Sequence, residues 1–341
     1  INLYSKFSFM LFLLVYFLPP KITKAQNLNL IQDAEIELYL RDWVEPILKV
    51  AGLSPNSVNI YIVNDETINA FVAGGQNIFI NTGLILKAKK VDALIGVLAH
   101  EIGHIAGGHL NRTVNSMRKA QETVTIATIL TAGLMAASKI AGLDTPGGMA
   151  KLATLGPSIA ERNFYKNTRQ NEKFADAAAI KYMTAINRSC IPLTDLLRNL
   201  GKQELLHENR QDPYLRTHPI SRERINEIVE ATKNIEIEET VNTSIDDIRY
   251  KRIVAKIIAF TNNPGKTLLL YPKTSSQIDT KYARAIAYLR LPDLDKGIKE
   301  IKELIKLDKS DPFFPEVLGQ MLFENGQIYE SITQLQISSN L

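Results

Sequence analysis

His100-Glu101-Ile102-Gly103-His104 sets two imidazoles at i and i+4 with a carboxylate between them. A helix turns about 100° per residue, so both rings leave one face and can reach a single ion. Glu101 lies one step round from His100, near enough to take a proton from a water molecule without ligating. That grouping suits metal-assisted hydrolysis of a carbonyl group. The bland alternative is a solvated helical face that carries two histidines by chance. The chain holds only five His, and the flanks Ile95, Val97, Leu98, Ile102 and Ile105 are apolar. Burying His100, Glu101 and His104 among them would be costly without a metal or partner to satisfy them.

A catalytic zinc needs a third protein ligand and one open position. Cys190 is the only cysteine, which excludes a thiolate cluster and an intramolecular disulfide and leaves His and carboxylates as donors. His109 is one candidate. It stands five positions past His104, one short of the place the longer H-E-x-x-H-x-x-G-x-x-H motif requires. Carried on as helix, it also points away from the His100 and His104 face, so a surface or supporting role is its default. Glu172 is the stronger candidate. In Arg169-Gln170-Asn171-Glu172-Lys173-Phe174-Ala175-Asp176 two carboxylates share a helical face at i and i+4, where like charges repel. Alone they would read as a solvated pair soothed by Arg169 and Lys173. Beside the pentad they read as a ligand, Glu172, and a group, Asp176, that accepts the free N–H of a ligating imidazole.

The elements that must position these residues follow from periodicity. Ile31, Ile36, Leu38, Leu40, Val44, Ile47 and Leu48 recur at helical spacing from Asn29 to Val50, and Gly52 stops the pattern. Val58, Ile60 and Ile62 alternate with polar neighbours, and Asn77 to Asn81 repeats the alternation after Gly74-Gly75, which predicts two strands and a turn. Leu94, Leu98, Ile102 and Ile105 predict a helix from Asp92 to Met117 that carries the pentad. Val124 to Ser138 is apolar but too short to cross a bilayer comfortably, so a buried helix or flap is expected, with insertion into a membrane as the alternative. A further helix from Asn163 through Met183 would bear Glu172 and Asp176.

The 341 residues leave room for more than one domain. The 45% apolar content excludes a polytopic membrane protein, and the formal charge of +4 gives no basic patch for nucleic acid. Lys6, the apolar run Phe7 to Leu18, Pro19-Pro20 and Ala25 read as a cleaved signal peptide over residues 1–25. Glu236, Glu238 and Glu239 begin a polar stretch, with a linker expected near Thr240 to Asp247. The expected division is therefore a catalytic domain over 26–240 and a helical domain over 248–341. In the latter, Leu318-Gly319, Leu322, Gly326 and Ile332 resemble part of a tetratricopeptide repeat without its tryptophan.

Taken together, these residues resemble the gluzincin family that contains HtpX and the CAAX prenyl protease, and within it the BepA-like metalloproteases with a tetratricopeptide tail. The resemblance rests on Ile68-Asn69-Ala70-Phe71, Gly74-Gly75, Asn81-Thr82-Gly83-Leu84, the pentad, Thr168-Arg169 through Asp176, and His218-Pro219 with Arg224. It implies a mainly α (α+β) fold: a zincin-type helical domain with a small β-sheet, then a tetratricopeptide-like helical domain. It also implies one Zn2+ held by His100, His104 and Glu172, with Glu101 as the base and Asp176 in support. A lone His before Pro is ordinarily a turn residue. The resemblance instead places His218 near the zinc as a removable ligand or oxyanion stabiliser, with Arg224 beside it.

The same resemblance implies a periplasmic endopeptidase for protein quality control, with unfolded or misassembled envelope and outer-membrane proteins as substrates. Contact with the outer-membrane assembly machinery through the helical domain and peripheral contact with the membrane would follow. Asn77 to Asn81 is expected to be the sheet edge that receives extended substrate. The rival expectation is a periplasmic chaperone or assembly factor whose metal site stays latent.

Overall fold

The computed structural model describes residues 28–110, 112, 115, 118, 168–205, 207, 210–238, 241–291 and 293–341. The expected signal peptide and the apolar stretch Val124 to Ser138 lie outside the described residues. Four strands, Leu30–Ile31 (β1), Asn59–Val63 (β2), Ala70–Ala73 (β3) and Asn77–Asn81 (β4), form one mixed sheet in the order β1-β2-β4-β3. β2 and β4 run parallel with Ile62 opposite Ile80, while β3 pairs antiparallel with β4 through Ala70 opposite Ile80. Alternation sorts the two faces: Ile62, Ile78 and Ile80 are buried in the core. On the other face Tyr61, Phe79 and Phe71 stack in a row, with ring centroids 5.1 and 5.2 Å apart.

Two strands were not anticipated, β1 and β3, and β3 changes the reading of the sheet. Gly74 and Gly75 take φ of +59° and +102°, which allows the chain to reverse after β3. β4 is thereby inserted between β2 and β3, so Asn77 to Asn81 is an interior strand and not the expected edge. The edge beside it is β3.

The first helix, Ala34–Val50 (α1), starts on Asp33, whose carboxylate accepts the Ile36 N–H at 3.0 Å. Its apolar face, Ile36, Leu40, Val44, Ile47 and Leu48, is buried. After the short helix Thr82–Lys87 (α2) comes Val91–Ala106 (α3), the centre of the molecule. Leu94, Ile95, Val97, Leu98 and Ile102 are wholly inaccessible, each worth roughly 1.5–3 kcal/mol of burial. That sum outweighs the cost of about 1–3 kcal/mol for each polar group left unsatisfied on the same helix. The expected helix to Met117 is broken at Gly107-Gly108, where Gly108 takes φ +64°, a left-handed turn that ends α3; past it residues 109, 110, 112, 115 and 118 are helical again.

Residues 168–185 form α4, followed by Ile191–Gly201 (α5), Pro213–Thr217 (α6) and Arg222–Thr232 (α7). Two glycines set how closely neighbours approach α3. A Cβ on Gly103 would stand 3.0 Å from the Ala178 Cβ and 3.1 Å from the Ala175 backbone on α4. A Cβ on Gly96 would stand 2.9 Å from the Leu193 Cβ on α5.

The expected linker is instead helical from residue 241, within Val241–Thr261 (α8). α8 serves two apolar clusters: Tyr250, Ile253 and Ile257 pack into the core around α3, and Ala255 and Ala259 into a second cluster. That second cluster is built from Ile278–Leu289 (α10), Leu294–Leu307 (α11) and Phe313–Glu324 (α12), with Pro264–Leu270 (α9) packed on α10 and Ile328–Asn340 (α13) packed on α12. Buried charges tie the two parts together. Glu35 of α1 meets Arg252 and Lys256 of α8, Arg252 also meets Asp311, and the Tyr282 hydroxyl donates to Glu35 at 2.8 Å. The architecture is thus mainly helical with a small mixed sheet, as the sequence predicts. Among the described residues no helix is long and apolar enough to cross a membrane.

Candidate metal centre

α3 carries His100 and His104, and α4 carries Glu172 and Asp176. The close approach at Gly103 lets the second pair reach the first. His100 Nε2 and His104 Nε2 lie 3.0 Å apart, and Glu172 meets them at 3.4 and 3.3 Å through its two oxygens. On its far side His100 presents Nδ1 to Asp176 Oδ1 at 3.0 Å. Three of the predicted donors therefore converge, with Asp176 behind one imidazole.

His218 joins them from the end of α6. Its N–H donates to the Tyr214 carbonyl at 2.8 Å, its ring stacks on Tyr214 at 4.6 Å, and Tyr214 N–H donates to Ile68 O just before β3. So placed, His218 Nδ1 stands 3.2 Å from Glu172 Oε1 and Nε2 stands 3.4 Å from Glu101 Oε1. Donor atoms of His100, His104, Glu172 and His218 all lie within 4.8 Å of one another. Arg224 on α7 stands behind the carboxylates. It donates from Nε and Nη2 to Asp176 at 2.7 and 2.8 Å, and from Nη1 to Pro219 O at 2.6 Å, with Glu172 Oε2 2.9 Å from Nη1.

The electrostatics follow from these contacts. Burial disfavours charge on Glu172, yet the imidazoles around it hold its carboxyl far below the usual carboxylate range. Asp176 is likewise opposed by burial but held at about 2 by Arg224 and His100. Burial works against a charge on His100, while the bonds to Asp176 and Glu172 push it up to about 10. His104 is lowered, chiefly by burial.

This set suits a divalent metal. Imidazole nitrogens with one carboxylate and no thiolate match a zinc of the catalytic type. Glu101 Oε1 is buried without a hydrogen-bond partner among the described residues, an orphan that a reacting water would satisfy.

Of the two roles expected for His109, the surface one falls: it is 2% exposed, and its Nδ1 lies 2.9 Å from His104 Nδ1. Burial and the neighbouring His104 lower it to about 4. The signal that could have placed it is Gly107-Gly108, since a glycine pair breaks a helix and re-aims the residue that follows. Tyr214, the stacking partner of His218, carried no signal in sequence.

Comparison with known proteins agrees with the geometry. The model of peptidase family M48 matches residues 35–232. The chain is 24% identical over 303 residues to a putative beta-barrel assembly-enhancing protease of Vibrio cholerae, covering 86% of this chain and 60% of that one. It is 21% identical over 325 residues to the beta-barrel assembly-enhancing protease of Escherichia coli K12, covering 92% and 63%. It is 27% identical over 196 residues to the metalloprotease LoiP of the same organism, covering 55% and 69%. The chain thus spans about three fifths of the length of the first two relatives.

Proposed function

The chain belongs to peptidase family M48, and from that premise we propose that it is a zinc metalloendopeptidase of the periplasm that cuts misassembled outer-membrane proteins. The observation that carries this is the convergence of His100, His104, Glu172 and His218 from separate elements onto one point, with Glu101 alongside. His100, His104 and Glu172 would hold the ion. When bound, zinc supplies Lewis acidity, which polarises a scissile carbonyl and makes water nucleophilic near neutral pH.

Every other part of the reaction belongs to the chain's own residues. Glu101, held on the buried α3, takes the proton from the attacking water at its orphaned oxygen and delivers it to the leaving amine. Asp176 accepts the Nδ1–H of His100 and thereby turns Nε2 toward the ion. Arg224 neutralises the two carboxylates from behind and fixes both, which keeps Glu172 in place. His218 would be a fourth donor where it now stands, and four protein donors would shut substrate out. We read this arrangement as the latent form. Once displaced, His218 can donate a hydrogen bond to the developing oxyanion.

Substrate would lie along β3, whose outer edge has no strand partner among the described residues. Pairing with an edge reads backbone and not sequence, which suits unfolded clients. Residues 26–240 would form the peptidase unit. The helices after it would form a tetratricopeptide-like partner surface, with α8 shared between the two. The names of the Vibrio and Escherichia relatives favour the outer-membrane assembly machinery as that partner.

One observation favours a second reading, an assembly factor whose metal site stays closed: His218 stands with the other three donors, all four within 4.8 Å of one another. Purified chain and its Glu101→Gln variant, incubated with an unfolded client such as casein, separate the two. Cleavage by the parent alone supports the peptidase; identical behaviour of both supports the assembly factor.

A further inference from the structure

Both imidazoles that would ligate zinc use Nε2 toward the common point, which leaves each Nδ1 to be held by something else. For His100 that group is Asp176 at 3.0 Å. For His104 it is His109, Nδ1 to Nδ1 at 2.9 Å. We propose that His109 is a positioning residue of the metal centre: its ring accepts at Nδ1 the Nδ1–H of His104 and so fixes the tautomer and ring angle with which His104 offers Nε2 to the ion. This rests on the metallopeptidase reading.

Three features show a built contact. Gly108 turns the chain back at φ +64°, which returns His109 to the helix it has just left. A Cβ on Gly107 would stand 2.3 Å from His109 Nε2, so only glycine there leaves room for the ring. The Phe174 ring, on the same helix as Glu172, meets the His109 ring edge to face at 5.1 Å. The third ligand and the support of the second are thereby set by one helix.

Packing alone does not account for a histidine here. Its Nε2 is buried with no hydrogen-bond partner among the described residues, a cost that an apolar side chain of similar size would not carry. The contact at Nδ1 is what the imidazole contributes in return. Nor is His109 itself a donor to the ion, since the group whose atoms converge is His100, His104, Glu172 and His218.

The test measures zinc affinity of the full chain by competition with a chromophoric chelator, and the absorption spectrum of the cobalt-substituted form. In His109→Asn the Oδ1 stands where Nδ1 stood and keeps an acceptor; in His109→Gln the polar atoms move outward; in His109→Leu there is none. Zinc affinity should fall about 10–100-fold in the Leu and Gln variants and hold at the parent value in Asn. The cobalt spectrum should shift only in the first two, with the melting temperature of the metal-free chains unchanged. Parent affinity in His109→Leu, or equal loss in Asn and Leu, overturns the inference. Failure of the parent chain to take up zinc, or uptake indifferent to Glu172→Gln, overturns the metallopeptidase reading beneath it as well.

Discussion

Gly103→Ala isolates the contact on which the centre depends. The added methyl would lie 3.0 Å from the Ala178 Cβ and 3.1 Å from the Ala175 backbone, against about 3.5–4.0 Å for carbon atoms at rest. α3 and α4 must therefore separate by about 0.5–1 Å. Overpacking of this kind costs about 1–3 kcal/mol, and alanine returns about 1 kcal/mol over glycine in helix propensity. The net loss is about 0–2 kcal/mol, a melting temperature lower by only a few degrees. The ligand distances are less forgiving. Zinc sites hold their donors to within about 0.2 Å, so retreat of Glu172 by half an ångström should weaken zinc about 10–100-fold, as when a ligand's support is removed. The control is Gly96→Ala. Its methyl would meet the Leu193 Cβ of α5 at 2.9 Å, two turns before Gly103 on the same side of α3, which strains a contact with α5 and not one with α4. Chelator competition and thermal melts on both variants decide the matter. Equal zinc affinity in the two, or a loss of affinity in Gly103→Ala no greater than its loss of stability would produce, refutes the reasoning.

Other outcomes follow from single residues. Glu101→Gln should lower kcat on casein by about 100–10,000-fold while bound zinc, measured by atomic absorption, stays at the parent level. Arg252→Met strips Glu35 and Asp311 of a shared buried partner and should cost about 3–5 kcal/mol in urea unfolding. Lys173→Met, on a solvated bridge to Glu223 and Glu227, should leave the unfolding midpoint where it was. Burial, with Asp92 nearby, pushes the Cys190 thiol from about 9 up to about 12. Because the folded chain keeps the neutral thiol, this contribution is whole below pH about 9 and fades as pH climbs toward 12. Ellman's reagent at pH about 8 should therefore label Cys190 only when denaturant is added; fast labelling of the folded chain would contradict its burial.

Much of the site is local and so could be read from residue order. The two histidines of the pentad share a face because one helix turn joins them, whatever surrounds it. Glu172 and Asp176 share a face for the same reason. The apolar neighbours of the pentad predict its burial, and the alternation in β2 and β4 predicts the sheet. Where local patterns were extended too far, a backbone detail intervened. Gly108 broke the expected helix in two, and the Gly74-Gly75 reversal turned β4 from an edge into an interior strand.

Periodicity and spacing alone establish that this chain carries a metal-type histidine pair, a carboxylate pair and helices to bear them. The three-dimensional packing decides that the pairs meet. Glu172 reaches the imidazoles because Gly103, Ala175 and Ala178 let two helices touch backbone to backbone, and Arg224 finds Asp176 across 48 positions of chain. Contacts at such separation depend on how whole elements stack. That depends on the volume left between them, which no residue expresses until its neighbours in space are known.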